Sequence, residues 1–94
     1  MNIGIPKEIM TGEARVALTP EACIVLVKAG CAIYVQQDAG ANSGYHDNDY
    51  RQSGATIVET AQQLYDSVQL VVKVKQPLEA DLNYLNDQHI VFSY

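Results

Sequence analysis

One apolar run near the end of the chain decides its fold. Residues 70–77 read Leu-Val-Val-Lys-Val-Lys-Gln-Pro, which is typical of a buried strand that ends at its proline. Strand side chains alternate between two faces, so Lys73 and Lys75 share one face about 7 Å apart. Because open α/β sheets bind ligands beyond the carboxyl ends of their strands, this cationic pair suggests an anion site. The alternative is two long lysine stems that cover apolar surface near the rim of the sheet.

Strands and helices alternate along the rest of the chain. Four further short apolar runs predict strands at 2–5, 32–36, 55–58 and 89–93, and helices are predicted at 19–29, 47–54, 60–66 and 78–85. This alternation predicts an α/β fold with a parallel sheet between two helical layers, of the flavodoxin-like or Rossmann-like type.

The starts of three helices are marked by capping residues. Thr19 precedes Pro20 and Glu21, which suit the first helical turn, and Gly30 marks the end of that helix. Asp47 and Thr60 are the predicted caps of the two helices that follow.

Composition narrows the class of protein. The 94 residues make one domain, 1–94, and carry six Lys and Arg against eleven Asp and Glu, a net charge of −5. This balance argues against nucleic acid and anionic membranes as partners, and the apolar runs are far shorter than the roughly 20 residues of a membrane span. We expect a cytoplasmic protein, in which Cys23 and Cys31 are small buried residues without a metal or redox role.

The last strand is followed at once by the end of the chain at Tyr94. Parallel sheets are normally covered on both faces, so we expect a sheet that is incomplete at its C-terminus. Its open apolar surface predicts contact with a missing C-terminal portion or with a second copy, giving a homo-oligomer.

Three motifs in order carry a family resemblance. They are Gly4-Ile5-Pro6-Lys7-Glu8, Arg15-Val16-Ala17-Leu18-Thr19-Pro20 and Lys73-Val74-Lys75-Gln76-Pro77, supported by Ala39-Gly40-Ala41 and Gly54-Ala55. The whole chain resembles the N-terminal domain of the alanine dehydrogenase and proton-translocating transhydrogenase family, with a pattern nearest to the L-alanine dehydrogenases.

The resemblance implies that Arg15 and Lys75 bind the substrate of an enzyme that oxidises alanine to pyruvate and ammonia with NAD. Arginine can clamp a carboxylate with two hydrogen bonds, and lysine is a compact donor to a carbonyl or carboxylate oxygen. The resemblance also places Tyr94 in the substrate pocket. Lys73 is expected to support the site, with Glu8 or Glu13 as its possible partner.

The resemblance also indicates which groups this chain lacks. His46 and His89 do not match the family's catalytic histidine, which is expected just beyond Tyr94, so we interpret both as surface or turn residues. The sequence contains no Gly-x-Gly-x-x-Gly fingerprint, so no NAD-binding domain is predicted here. NAD is implied only for the full-length family, and we expect this chain to be inactive alone.

The sequence is also compatible with three other functions. The chain could be the corresponding domain of a transhydrogenase alpha subunit, although the resemblance implies an uncharged residue there instead of Lys75. It could also be a non-enzymatic module that binds small carboxylates or a partner protein, or a remnant without a ligand.

Overall fold

The chain folds around a five-stranded parallel sheet, seen in a computed structural model that describes residues 1–7, 18–73 and 89–93. All four strand pairings are parallel. The strands lie in the order β3-β2-β1-β4-β5, which is the Rossmann order and differs from the flavodoxin order. The predicted parallel sheet is therefore confirmed. Its strands are β1 (Asn2–Ile5), β2 (Ala32–Gln36), β3 (Thr56–Val58), β4 (Leu70–Lys73) and β5 (Ile90–Ser93).

Helices cover both faces of this sheet, as the sequence predicts. The helices are α1 (Pro20–Lys28), α2 (Asp47–Gln52) and α3 (Ala61–Ser67), with a 3₁₀ turn at Ala41–Ser43. We call the side packed by α1 and α2 the first face and the side packed by α3 the second face. The chain changes faces between β3 and β4, when it crosses from one edge of the sheet to the far side of β1.

The two faces bury different sets of side chains. The second-face cluster is small and centres on Tyr65, Val68 and Val71. The first-face cluster is larger and consists of Ile3, Ile5, Cys23, Ile33, Val35, Ala39, Tyr50, Ala55 and Val72. The two predicted buried cysteines differ: Cys23 is fully buried, whereas Cys31 is only half-buried.

Two of the three predicted helix caps are correct. The Thr19 hydroxyl accepts a hydrogen bond from the Ala22 amide at 3.2 Å. Thr60 and Gln63 form a reciprocal pair, in which each side-chain oxygen accepts from the other residue's backbone N–H at 3.2 Å. These contacts supply partners for amides that a helix start leaves unbonded.

The prediction that Asp47 caps α2 is wrong, because His46 holds the cap position and Asp47 is the first helical residue. The Asp49 carboxylate accepts from the His46 backbone N–H at 2.9 Å. The Asp47 carboxylate accepts from the Asp38 N–H at 2.9 Å, where Asp38 has a positive φ of 65°. A short aspartate side chain can accept a hydrogen bond either from an amide in the first turn of a helix or from an amide in a nearby turn. Here the Asp47 carboxylate binds the amide of the turn.

Two predicted features extend beyond the described residues. The fourth strand is seen up to Lys73, and its predicted continuation to Lys75 lies outside the described range. The predicted helix at 78–85 also lies outside it. Among the residues that the structure does describe, no helix combines the length and apolar character needed to cross a membrane.

Candidate functional site

The carboxyl ends of β1 and β4 define the candidate site. These neighbouring strands lie where the chain changes faces, and such a switch point opens a crevice beyond the strand ends. β1 ends at Ile5 and is followed by buried Pro6 and exposed Lys7, while β4 ends at Lys73. This edge of the sheet is therefore bordered by two of the sequence motifs.

Lys73 is almost entirely buried, with 2% of its surface exposed. Its side chain alternates with Val72, which belongs to the first-face cluster, so it points to the second face with Val71. The alternative of a lysine lying at the rim with its ammonium in water is thus wrong for Lys73. The reason is tertiary: β4 is flanked by β1 and β5, so its last residue lies inside the sheet. Burying an ammonium group lowers the stability of the fold unless other groups compensate its charge. Lys73 is therefore a candidate functional residue.

Gln36 ties the start of the first motif loop to the sheet. Its side-chain oxygen Oε1 accepts a hydrogen bond from the Lys7 backbone N–H at 2.9 Å. Because β1 and β2 pair Gly4 with Tyr34 and Ile5 with Val35, Gln36 lies beside Pro6 at the carboxyl edge. The end of β2 therefore joins the ends of β1 and β4 at one edge.

Tyr50 ties the other end of that loop to α2. Its hydroxyl donates to the Leu18 backbone oxygen at 2.8 Å, and its ring is fully buried. Burial, with smaller contributions from Cys23 and nearby acidic groups, raises the pKa of Tyr50 far above its ordinary value. The hydroxyl therefore stays protonated, and a protonated hydroxyl can donate at every physiological pH.

The turn after β2 leaves no room for a side chain beside Tyr50. A Cβ atom on Gly40 would lie 2.8 Å from Cε2 and 2.9 Å from the hydroxyl oxygen of Tyr50. The Tyr45 ring meets the Tyr50 ring edge to face, with centroids 6.4 Å apart. This packing gives the Ala39-Gly40-Ala41 motif a physical reason: it accommodates the tyrosine that holds Leu18.

The roles of Gln36 and Tyr50 were not predicted from the sequence, although both residues leave a signal in it. Tyr50 is the single aromatic residue in α2, whose sequence is Asp-Asn-Asp-Tyr-Arg-Gln, and a lone ring in a polar helix is expected to face the core. Gln36 is a polar residue at the carboxyl end of an otherwise apolar strand. Neither signal identifies the backbone atom that the side chain binds.

Of the predicted substrate and supporting residues, the structure describes Lys73, and the other five lie outside the described part of the chain. These residues are Arg15, Lys75, Tyr94, Glu8 and Glu13. The structure does describe the residues that flank them, Lys7 and Leu18 on one side and Lys73 on the other, and these flanks are bound or buried as described above.

The two histidines have different environments. His46 is exposed at the start of α2, as predicted. His89 is partly buried, because its Nε2 donates to the Tyr65 backbone oxygen at 2.6 Å and its ring meets the Tyr65 ring edge to face. His89 thus connects the start of β5 to α3. The prediction of a surface or turn residue is therefore incomplete for His89, because its ring makes specific contacts with Tyr65.

A separate open groove lies between the first turns of α1 and the helix α2. It has a volume of about 490 Å³, and its lining includes Pro20, Glu21, Ile24, Tyr45 and Asp49. Its two carboxylates would repel an anionic substrate, and the Asp49 carboxylate is already engaged by the His46 amide.

Comparison with known proteins shows where this fold recurs. The chain is 44% identical over its whole length to an alanine dehydrogenase of Staphylococcus haemolyticus. A solved L-alanine dehydrogenase superposes on the whole chain with a TM-score of 0.95 and 40% identity, and this chain covers 26% of it. A transhydrogenase from Sinorhizobium meliloti superposes on 99% of the chain with a TM-score of 0.91 and 25% identity, and 27% of that protein is covered.

This chain spans about a quarter of the length of the curated relatives that it matches. The model of the alanine dehydrogenase/PNT N-terminal domain matches residues 4–94. That match includes the strand ends and loop flanks that form the edge described above. The chain therefore belongs to the alanine dehydrogenase/PNT N-terminal domain family.

Proposed function

We propose that this chain is the substrate-binding part of an NAD-dependent L-alanine dehydrogenase. In that reaction L-alanine, NAD⁺ and water give pyruvate, ammonium, NADH and a proton. The observation that carries the proposal is the convergence of buried Lys73, Lys7 and the Leu18 tether on the carboxyl edge of a Rossmann-ordered sheet. Ligand sites of open parallel sheets lie at this edge.

Arg15 and Lys75 are the residues that we propose bind the substrate. The peptide chain allows at most about 3.6 Å per residue, so Lys75 is tethered within about 7 Å of Lys73, and Arg15 within about 11 Å of Leu18. An arginine fork and a lysine donor would fix the carboxylate and the carbonyl of pyruvate. Orientation of this kind is needed because hydride transfer requires a near-attack geometry. We propose that Tyr94 lines the same pocket.

NAD would accept the hydride, but we do not assign it to residues of this chain. The 94 residues lack the glycine fingerprint that brings a backbone close to a pyrophosphate. We therefore propose that the cofactor is held by a part of the protein beyond these residues, and that the chain alone is inactive. NADH formation from alanine and NAD⁺ by the purified 94-residue chain would contradict this proposal.

The transhydrogenase alpha subunit is the second candidate, because the fold match to that class is nearly as close. Two observations favour the dehydrogenase. The identity to the solved dehydrogenase is 40% against 25% to the transhydrogenase, and the sequence carries Lys75. A second cation next to the switch point suits an anionic amino or keto acid, which is a substrate of the dehydrogenase alone.

A two-dimensional amide NMR titration tests substrate binding directly. We expect saturable shifts near Lys7, Leu18 and Lys73 on addition of pyruvate, and weaker ones with alanine. Lys75→Ala and Arg15→Ala are expected to abolish these shifts, since each removes a charge-assisted contact. Lys28→Ala and Arg51→Ala are matched controls, because both residues are exposed on helices.

The outcomes separate the candidate functions. Saturable pyruvate binding that is lost only in the Lys75 and Arg15 variants supports the dehydrogenase role. A folded spectrum without any response would contradict it and favour the transhydrogenase domain or a module for a different partner. Binding that survives both substitutions would place the site elsewhere.

Self-association and a cytoplasmic location are further proposals about the whole protein. Four large apolar side chains are well exposed among the described residues, namely Met1, Ile24, Val25 and Ile90. Exposed apolar surface of this kind supports a homo-oligomer. A monomeric mass by light scattering at high concentration would contradict self-association of this chain.

A further inference from the structure

We propose that Gln36 and Tyr50 are positioning residues for substrate binding, because they hold the two ends of the segment that carries Arg15. This inference rests on the proposed function, since Arg15 is its substrate ligand. Neither residue belongs to the motifs that carry the family resemblance, and neither is proposed to touch substrate. Both act by fixing Lys7 and Leu18, the described residues on either side of this segment.

The two tethers come from separate elements and bind opposite ends of one segment. From the end of β2, Gln36 Oε1 accepts from the Lys7 N–H at 2.9 Å. From α2, the Tyr50 hydroxyl donates to the Leu18 oxygen at 2.8 Å. Residues 8–17 span the interval between these two bonds. Fixing both ends of a segment removes many of its conformations, whatever its interior does.

The Tyr50 tether is held in one orientation by its surroundings. Its ring is fully buried, is in edge-to-face contact with Tyr45 and lies against Gly40. The ring therefore has little freedom to turn its hydroxyl away from Leu18. Leu18 itself packs against the first-face cluster, so the backbone oxygen and its donor are both fixed to the same core.

The Gln36 tether is fixed by backbone bonds on both sides. Val35, the preceding residue, is fully buried and paired in the sheet with Ile5. The Gln36 backbone oxygen accepts from the Ala39 N–H at 3.0 Å, which closes the turn. The side-chain oxygen is thus presented to Lys7 from a rigid strand end. Sites supported in this way hold their ligands in a defined geometry, which an arginine fork requires.

The test compares pyruvate affinity and backbone resonances in five forms of the 94-residue chain. Tyr50→Phe removes only the donating hydroxyl, and Tyr45→Phe removes the hydroxyl of the neighbouring ring as its control. Gln36→Met removes the accepting oxygen, whereas Gln36→Glu keeps an acceptor at nearly the same place. The wild type is the fifth form, and thermal unfolding confirms that each variant is folded.

We expect Tyr50→Phe and Gln36→Met to weaken pyruvate binding about fivefold each, the effect of one lost hydrogen bond. Tyr45→Phe should stay within about twofold of the wild type. Gln36→Glu adds a negative charge near the proposed anion site, so its control readout is the Lys7 amide resonance, which should stay near its wild-type position because a carboxylate oxygen also accepts. The Leu18 carbonyl carbon resonance should move in Tyr50→Phe only, and amide peaks of residues 8–17 should move in both tether variants. If Gln36→Met acted only by a general loss of stability, Gln36→Glu would not restore the wild-type position of the Lys7 amide peak.

Failure of this inference is distinguishable from failure of the proposed function. Folded Tyr50→Phe and Gln36→Met chains that bind pyruvate like the wild type would overturn the positioning role and leave the function intact. Amide peaks of 8–17 that do not move in either variant would overturn it as well. A wild type that does not bind pyruvate would overturn the proposed function, and the substrate role of both tethers with it, even if those peaks move.

Discussion

The first face of the sheet packs apolar side chains from α1 and α2, whereas the second face, under α3, buries a lysine. The first face holds the larger cluster. The hydroxyl of Tyr50, the buried tyrosine of that cluster, donates a hydrogen bond to the backbone oxygen of Leu18. On the second face Lys73 and His89 place polar groups beside a small cluster. The difference teaches that one face supplies most of the apolar packing and the anchor for Leu18, whereas the other holds a buried charged side chain.

The largest effect is expected on the second face, from Lys73→Met. The substitution keeps an apolar stem of similar length and removes the ammonium. If Lys73 pairs with Glu8 or Glu13, as expected from the sequence, a carboxylate is left without its partner, and the free energy of unfolding should fall by about 4 kcal/mol. Denaturant unfolding measures this change.

Two further sets of variants test the interpretation of Lys73. Lys28→Met, on the exposed side of α1, should change stability by less than about 0.5 kcal/mol. Glu8→Gln or Glu13→Gln, combined with Lys73→Met, should recover part of the loss at the true partner. An unchanged stability of Lys73→Met would show that the two faces differ less than proposed.

The next largest effect is expected on the first face, from Ile33→Ala. Ile33 is 2% exposed, so its truncation leaves a cavity and should lower the free energy of unfolding by about 3 kcal/mol. Ile90→Ala is the matched control in the same sheet, because Ile90 is 61% exposed and should cost less than about 1 kcal/mol. Equal losses at the two positions would contradict the location of the main core.

A third effect tests how tightly α3 packs on the second face. A Cβ atom on Gly4 would lie 2.8 Å from Cγ2 and 3.1 Å from Cγ1 of Val68, so Gly4→Ala should cost about 2 kcal/mol. Val68→Ala should restore part of that loss when combined with Gly4→Ala, which a double-mutant cycle measures.

Gly30→Ala is the control for backbone strain. Gly30 has a φ of 98° and no atom within 4 Å of an added Cβ, so its cost arises from the backbone alone. Val68→Ala should therefore not reduce the loss of stability caused by Gly30→Ala. Strictly additive effects of Gly4→Ala and Val68→Ala would show that α3 can move away from the sheet.

The smallest effect concerns pH and the first face. Burial raises the pKa of the Cys23 thiol to about 11. In the unfolded chain the thiol ionises near pH 9, so its contribution to stability is complete below pH 9 and is lost as the pH rises towards 11. We expect a loss of about 1 kcal/mol by pH 10 from this group.

Cys23→Ala should make the decline of stability above pH 9 shallower, as measured by denaturant unfolding from pH 6 to 10. Between pH 6 and 8 the two proteins should differ by a constant amount, which serves as the internal control. Curves that stay parallel up to pH 10 would contradict the burial of this thiol.

Local sequence signals were sufficient for most of the fold. Capping threonines, the glycine after α1 and the alternation of apolar runs correctly predicted the helices and strands of the described regions, because these signals act within a few residues. The cap at Asp47 was predicted wrongly, because its carboxylate had two local partners within reach and the sequence does not rank them. The motif residues Arg15, Lys75 and Tyr94 stay predictions.

By itself the sequence determined the parallel α/β class, the family and the residues that are candidates for substrate binding. Tertiary structure alone decided that Lys73 is buried, that Gln36 and Tyr50 reach Lys7 and Leu18, and that the strands follow the Rossmann order. The reason is distance along the chain. Gln36 and Lys7 are 29 residues apart and Tyr50 and Leu18 are 32 apart, so no local pattern links them until the sheet brings them together.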